Sequence, residues 1–183
     1  MDRITQTNLD NLRSEDRDSQ NRAFFYVIEA TDSLVDWAYD VWDDLVADLR
    51  HKDNHRRAIA AQVLCNLAKS DPEKRMLKDF DGLLTVTKDE RFVTARHCLQ
   101  AIWQVGAAGK QQQQLLVNGL ERRFNECITE KNCTLIRYDI IQGLRHLYDE
   151  VKDETVREKA LALIDTEEDI KYRKKYATLW RVK

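Results

Sequence analysis

The sequence predicts an all-α protein built from stacked helical hairpins, and three observations carry this prediction. The chain has one proline and five glycines in 183 residues, so few residues interrupt a helix. Its apolar residues recur at offsets of 3, 7 and 10, which are about one, two and three helical turns. This apolar stripe returns every 35 to 45 residues, a period typical of helical repeat proteins.

Four copies of the stripe define the repeats. They are Arg57, Ala60, Leu64 and Leu67; Phe92, Ala95, Leu99 and Ile102; Arg137, Ile140, Leu144 and Leu147; and Arg173, Tyr176 and Trp180. The recurring arginine has two interpretations. It could contribute to a ladder that binds a partner, or it could bond an acid in the turn between helices, such as Asp53. We favour the structural role, because arginine and a carboxylate form strong charge-assisted hydrogen bonds.

Local signals place the helices in order along one domain of residues 1–183. We expect an unpaired N-terminal helix at about 9–30, followed by hairpins at about 33–69, 72–106, 110–149 and 153–181. Ser70-Asp71-Pro72-Glu73 is a strong start signal, with a polar cap, a proline in the first turn and then an acid. Gly106 to Gly109 is the clearest break. The glutamine run at 111–114 is expected on the solvated face of its helix.

Composition narrows the class of protein. Charged residues make up 34% and hydrophobic ones 43%, and no apolar run approaches the ~18 residues of a membrane span. With no signal peptide at the N-terminus, we expect a cytoplasmic protein without a membrane partner. Four cysteines at irregular spacing predict reduced thiols rather than a disulfide framework. The chain offers no zinc-like ligand spacing and no recognisable catalytic motif, so we expect no metal, no cofactor and no catalytic residue.

Two of the stripes resemble a known repeat. Arg57-x-x-Ala60-x-x-x-Leu64, preceded by Asp53, and Arg137-x-x-Ile140-x-x-x-Leu144 resemble the second helices of HEAT repeats, over about residues 33–183. Repeat two departs from the family with Phe92 in place of arginine. The resemblance implies a right-handed α-α superhelix (solenoid) of about four HEAT-like hairpins plus an N-terminal capping helix, with the second helices lining its concave side. It implies no specific activity.

The stripe also predicts a binding surface, because positions one, five and eight after its first residue point away from it. None of these twelve residues is acidic: Ala58, Val93, Tyr138 and Lys174; Gln62, His97, Gln142 and Thr178; Cys65, Gln100, Arg145 and Arg181. The partner-binding residues we expect among them are Gln62, His97, Gln100, Tyr138, Gln142, Arg145, Lys174 and Arg181. For His97, a plain solvent-facing histidine is the competing interpretation.

Charge differs between the two sets of predicted helices. The second helices of the hairpins carry thirteen basic against eight acidic residues, and the first helices carry eleven against sixteen. A mildly basic inner face would attract an acidic partner, although an imbalance of this size also arises without any function. The segment 171–176 interleaves four cations with two tyrosines. It is either a site for phosphate or an acidic peptide, or the solvated face of a terminal helix.

These observations lead to two hypotheses about function. The first is a non-catalytic scaffold or adaptor that binds another protein, with an acidic segment as the candidate, on the concave face. The alternative is a DNA-binding or DNA-repair protein resembling the HEAT-like alkylpurine DNA glycosylases, which use a basic groove with aromatic residues and a carboxylate. Trp103, Tyr138 and Asp139 would be the candidates in that case. Nucleic acid is the less favoured partner, because the predicted groove is less basic than a duplex requires.

Overall fold

The computed structural model describes residues 1–181, in which eleven α-helices and no β-strand are found. The helices are α1 Arg3–Asn11, α2 Arg17–Ala30, α3 Ala38–Asp48, α4 Asn54–Leu67, α5 Met76–Val86, α6 Phe92–Ala101, α7 Trp103–Ala107, α8 Lys110–Glu126, α9 Cys133–Val151, α10 Glu154–Asp165 and α11 Ile170–Thr178. Short 3-10 turns, Ala68–Ser70 and Cys127–Thr129, extend α4 and α8. No helix among these residues is long and apolar enough to cross a membrane.

The chain divides into two compact units, Met1–Cys98 and a second that begins at Leu99. In the first unit, α1 packs on α2, α3 packs on α4, and α4 also contacts α2 and α5. In the second unit, α9 contacts α7, α8, α10 and α11, while α8 also contacts α7 and α10, and α10 contacts α11. The second unit therefore has one layer of α7, α9 and α11 and another of α8 and α10. The prediction of one domain over 1–183 stays a prediction.

The N-terminal segment is a helical hairpin, so the prediction of one unpaired helix over 9–30 is wrong. The chain leaves helical geometry between α1 and α2, and the Asp16 carboxylate caps α2 by accepting a hydrogen bond from the Ser19 backbone N–H at 3.0 Å. The fully buried Gln20 side chain donates to the Leu12 carbonyl at 2.9 Å and closes the turn. These polar groups stop one helix and start the next inside a stretch that is helical by composition.

Two other helices begin later than their sequence signals indicate. The Val35 backbone N–H donates to the Ser70 side chain at 3.0 Å, so the chain at Val35 is bonded to the 3-10 turn that follows α4, and α3 starts at Ala38. The Asp71 carboxylate accepts hydrogen bonds from the backbone N–H groups of Arg75 and Met76, both at 2.8 Å. The signal at Ser70-Asp71-Pro72-Glu73 is therefore a capped turn that precedes α5, and Pro72 lies outside the helix.

The predicted stripe forms the core of both units. Its apolar members from Ala60 to Tyr176 are at most 2% exposed, except Phe92, which is half-buried, and Trp180 is 9% exposed. Trp37 and Trp42 are buried as expected, while Trp103 is half-buried. The expectation of a solvated glutamine run is wrong for its two central members, since Gln112 and Gln113 are both buried. The Gln113 side chain donates to the Asp153 carboxylate at 2.8 Å, which explains why an amide is tolerated there.

The stripe arginine of α4 has a structural role. Arg57 forms a two-pronged ion pair with the Asp89 carboxylate at 2.6 and 2.9 Å. It also donates to the His51 carbonyl at 2.8 Å and the Lys52 carbonyl at 3.1 Å. We call such a bond an arginine bridge: the arginine at the start of one hairpin's second helix binds the acid that precedes the next hairpin's second helix. The partner of Arg57 is thus Asp89 and not Asp53.

Two further arginine bridges use the same register. Arg137 of α9 binds the Glu167 carboxylate at 2.9 Å and the Phe124 carbonyl at 3.1 Å. Asp53 is bound by Arg17 of α2 at 2.9 Å. Residues Arg17, Gln20, Phe24 and Val27 have the offsets of the stripe, so α2 is the second helix of an additional hairpin rather than a cap.

A methyl group at Gly106 should destabilise the protein. An alanine Cβ there would lie 2.6 Å from Leu116 Cδ2 and 3.0 Å from Leu147 Cδ2, and both leucines are fully buried. We expect Gly106→Ala to lower the free energy of unfolding by ~1–3 kcal/mol, measured by urea denaturation. Gly143→Ala is the matched control, because its Cβ would meet its nearest atoms at 3.7 and 3.8 Å. That variant should be neutral or more stable by up to ~1 kcal/mol.

Removal of the guanidinium of Arg57 should also be costly. Arg57→Met keeps most of the aliphatic side chain but leaves the Asp89 carboxylate, only 5% exposed, without its main partner. We expect a loss of ~3 kcal/mol in the free energy of unfolding. Arg157→Met is the control: its ion pair with Glu154 is 47% and 58% exposed, so it should cost less than ~1 kcal/mol. Equal losses in both variants would contradict a structural role for the bridge.

The difference in the free energy of unfolding between wild type and Arg57→Met should also depend on pH, because Asp89 is ionisable. Desolvation raises the pKa of Asp89, but the hydrogen bonds from Arg57 and from the Arg91 backbone outweigh it and lower the pKa below its ordinary value. A carboxyl group with a lowered pKa stabilises the fold above its unfolded-state pKa of ~3.9, and this contribution is lost as the pH falls further. The stability gap between wild type and Arg57→Met should therefore shrink below about pH 4.

Candidate functional site

Tyrosine and lysine side chains meet on α9 and α11 of the second unit. The Lys175 ammonium lies 4.8 Å from the centre of the Tyr138 ring, within cation–π distance. Tyr176 lies 6.3 Å from both Tyr138 and Tyr172, measured between ring centres. It is buried and donates a hydrogen bond to the Thr134 carbonyl at 2.8 Å, and burial raises its pKa above the usual range. Tyr176 therefore supports the two outer rings, Tyr138 and Tyr172, which are half-buried.

Four cations of α11 accompany these rings. Within the described part of the chain, no carboxylate forms an ion pair with Lys171, Arg173, Lys174 or Lys175. Lys171 lies 6.0 Å from the Tyr172 ring centre. Lys171, Lys174 and Lys175 are exposed. We name this region the tyrosine–lysine surface and define it by Tyr138, Tyr172, Lys171, Lys174 and Lys175. It presents positive charge that no partner within residues 1–181 neutralises.

Arg145 is less available to a binding partner than its position in the sequence indicated. Its guanidinium binds the Asp149 carboxylate in two bonds of 2.9 Å. It also lies 5.4 Å from the Trp180 ring centre, and Trp180 packs on Tyr148 at 5.6 Å. The hydrogen bond from Arg145 lowers the pKa of Asp149, so the pair stays ionised down to low pH. Arg145 thus adds little net charge to the surface.

Two of the predicted residues line a separate cleft in the second unit. Gln100, Asp139, Gln142, Gly143 and His146 enclose about 310 Å³. Asp139 is 1% exposed and adds a carboxylate to this cleft. It lies two positions after Arg137 and is not one of the twelve outward positions, none of which is acidic.

Two of the three residues considered for a DNA-repair site lie at or beside this cleft. The Trp103 ring packs on His146 at 5.6 Å between ring centres, next to the cleft that Asp139 lines. Tyr138 instead lies under Lys175 on the tyrosine–lysine surface. Two of the three nominated residues are therefore brought near one another, and the third belongs to the neighbouring surface.

The remaining predicted residues are divided between the units. Gln62 and His97 belong to the first unit, where Gln62 donates to the Ala58 carbonyl at 3.0 Å and His97 is exposed. Desolvation, followed by the charges of His55 and Arg96, lowers the pKa of His97. Lys174 and Arg181 are exposed in the second unit. Ala58 and Cys65 from the twelve outward positions are buried, so the rule that selected them is wrong in the first stripe.

All four cysteines are free thiols, as predicted. Cys65, Cys98 and Cys127 are buried, and Cys133 is half-buried. Across residues 1–181, no three His, Cys, Asp or Glu side chains are grouped in a way that could hold a metal ion.

Several solved structures are similar to this chain, although no family model and no curated protein matches its sequence. An engineered protein has a TM-score of 0.58 at 16% identity, with 98% of this chain and 79% of that chain covered. A second engineered protein has a TM-score of 0.53 at 13% identity, with 98% and 95% covered. A designed armadillo repeat protein in complex with the peptide (KR)4 has a TM-score of 0.50 at 14% identity, with 97% and 89% covered. These likenesses confirm the predicted all-α helical-repeat fold.

Proposed function

We propose that this chain is a non-catalytic, HEAT-like interaction module that binds an acidic segment of another protein on the tyrosine–lysine surface. The observation that carries the proposal is the group of four α11 cations without ion pairs among the described residues. Elsewhere the arginines with little exposed side-chain surface are paired: Arg57 with Asp89, Arg123 with Glu130 and Arg137 with Glu167. The cations of α11 thus differ from those that stabilise the fold.

The chemistry of the surface suits an acidic peptide. Lysine ammonium groups at exposed positions attract carboxylates over a long range and raise the rate of encounter. Tyr138 and Tyr172 add rigid aromatic area beside the charges, and tyrosine provides both apolar contact and a hydrogen-bonding hydroxyl. Because Tyr176 is buried and hydrogen-bonded beneath them, these rings are held in place before a partner arrives.

The HEAT-like assignment rests on the link between consecutive hairpins. Arg57 and Arg137 start the second helices that resemble HEAT repeats, and each binds an acid of the following hairpin. The designed armadillo repeat protein that resembles this chain is described with a basic peptide. The tyrosine–lysine surface carries the opposite charge from the one that a basic peptide would require. A reducing compartment such as the cytoplasm suits four free thiols.

The proposal predicts the sign of the preferred peptide. We expect a fluorescently labelled octapeptide of alternating Glu and Asp to bind the full chain, with an affinity that falls as salt rises, and the (KR)4 peptide to bind much more weakly. Lys174→Glu combined with Lys175→Glu should weaken binding of the acidic peptide by about tenfold or more, measured by fluorescence anisotropy.

A charge-matched double variant tests whether the acidic peptide binds at the tyrosine–lysine surface or is attracted by positive charge anywhere on the protein. Lys52→Glu with Lys78→Glu changes the net charge by the same amount at exposed lysines of the first unit, so binding should change little. Equal losses in the two double variants, or preferential binding of (KR)4, would contradict the proposal. Circular dichroism spectra of all variants would show whether the helices are retained.

The DNA alternative makes a different prediction in the same assay. A labelled mixed-sequence duplex bound at physiological salt, with affinity falling steeply as salt rises, would favour nucleic acid over an acidic peptide. In that case Asp139→Asn, next to Trp103 and His146, would be the variant to examine for loss of base-excision activity. Failure of the duplex to bind while the acidic peptide binds would favour the interaction module.

A further inference from the structure

Two thiols of the second unit contact each other at the turn between α8 and α9. The sulfur atoms of Cys127 and Cys133 are 3.2 Å apart. Cys127 belongs to the 3-10 turn that ends α8, and Cys133 is the first residue of α9. The pair therefore spans a short loop of the chain, and formation of a bond between the sulfur atoms would need only a small movement.

We propose that this pair is a modification site, at which a peroxide oxidises Cys133 and Cys127 then converts the product to an intramolecular disulfide. Access distinguishes the two thiols. Cys133 is half-buried and lines a cavity of about 250 Å³ together with Ile128 and Glu168, both of which are exposed. The cavity thus reaches the surface, and a molecule as small as hydrogen peroxide can enter it. Susceptibility of a thiol to oxidation depends on this access and on its thiolate character.

Burial distinguishes the second thiol from the first. Arg137, Glu167 and Glu168 line the same cavity as Cys133, so residues of both charges surround that thiol and its access sets it apart. Cys127 is fully buried, and its burial, together with the hydrogen bond to Cys133, raises its pKa to about 12. Cys127 is therefore the protected thiol that reacts second.

The reaction balances with peroxide as the only oxidant. The Cys133 thiolate attacks one peroxide oxygen, an S–O bond forms and the O–O bond breaks, and the departing hydroxide takes up a proton to become water. The sulfur of Cys127 then loses its proton and attacks the Cys133 sulfur. The S–S bond forms as the S–O bond breaks, and the second hydroxide leaves as water after taking up a proton. Two thiols and one hydrogen peroxide thus give one disulfide and two water molecules.

The chain contains its own control pair. Cys65 and Cys98 also interact through their thiols, but both are fully buried in the first unit, where Cys98 donates to the Leu83 carbonyl at 3.4 Å. Interaction between two thiols is thus common to both pairs, whereas access is specific to Cys133. If access determines reactivity, peroxide should oxidise only the pair at the α8–α9 turn.

The experiment maps the oxidised thiols in the full chain. Native protein would be treated with increasing hydrogen peroxide, its remaining thiols alkylated with N-ethylmaleimide, and its peptides identified by mass spectrometry. We expect a disulfide between Cys127 and Cys133, with Cys65 and Cys98 alkylated. Non-reducing electrophoresis should show a monomer. The midpoint of thermal unfolding should rise by a few degrees on oxidation, since the new bond restrains the unfolded chain.

Two variants show which of the two cysteines reacts with peroxide first. Cys127→Ser should leave Cys133 as a sulfenic acid that dimedone traps, whereas Cys133→Ser should leave Cys127 unreacted. Alkylation of Cys127 and Cys133 in the wild type after peroxide treatment that fully oxidises free glutathione would overturn the proposal. So would oxidation of Cys65 and Cys98 at the same rate, because access would then not be the deciding factor. The result is independent of the acidic partner proposed above.

Discussion

The arginine bridge is the interaction on which the arrangement of the hairpins depends. Packing of apolar side chains attracts one hairpin to the next, but it is not directional and tolerates sliding. A guanidinium held by a carboxylate and by backbone carbonyls fixes the position of one second helix relative to the start of the next. Arg57 and Arg137 each bind an acid and at least one carbonyl, and each is largely buried. Their energetic role is therefore to keep register, because a buried ion pair adds little net stability over an apolar pair of the same shape.

The sequence was sufficient to predict most of the core and the structural role of Arg57 and Arg137, because both follow from local spacing. The same prediction is wrong for Arg173, which has no carboxylate partner among the described residues. The partner of Arg57 was not predictable, since its bond is directed forward to Asp89 and depends on how one hairpin packs on the next. The additional stripe of α2 was hidden because its second member, Gln20, is polar and becomes acceptable only through its bond to Leu12. Asp139 was considered only as the carboxylate of a DNA site, and its place in a cleft with Gln100 and Gln142 was not predictable, because the rule for outward positions treated helices singly and a cleft is formed by more than one.

Positive charge in this chain is used in two ways that differ in burial. The arginines near the turns form ion pairs with carboxylates of the same chain, so their charge is balanced within the fold. The lysines of α11 are exposed beside tyrosine rings and have no ion-pair partner among the described residues. The net charge of −2 does not show the difference between the paired arginines and the lysines of α11. The difference becomes visible only when the contacts of each cation are compared. The candidate site could be predicted to this extent from the sequence: the basic α11 segment and Tyr138 of α9 were recognised, but the packing of Lys175 on the Tyr138 ring was not.

The acid of an arginine bridge also has a second task, which limits what evolution can place there. Asp53 accepts a hydrogen bond from the His55 backbone at the start of α4 while it binds Arg17, and Asp89 does the same for Arg91 and Arg57. A helix cap alone would admit serine, threonine or asparagine, whereas the bridge requires a carboxylate, so aspartate alone satisfies both. Before α11 the tasks are divided, with Asp169 as the cap and Glu167 as the bridge. Sequence variation should therefore be tolerated at Asp169 in forms that Asp53 and Asp89 exclude.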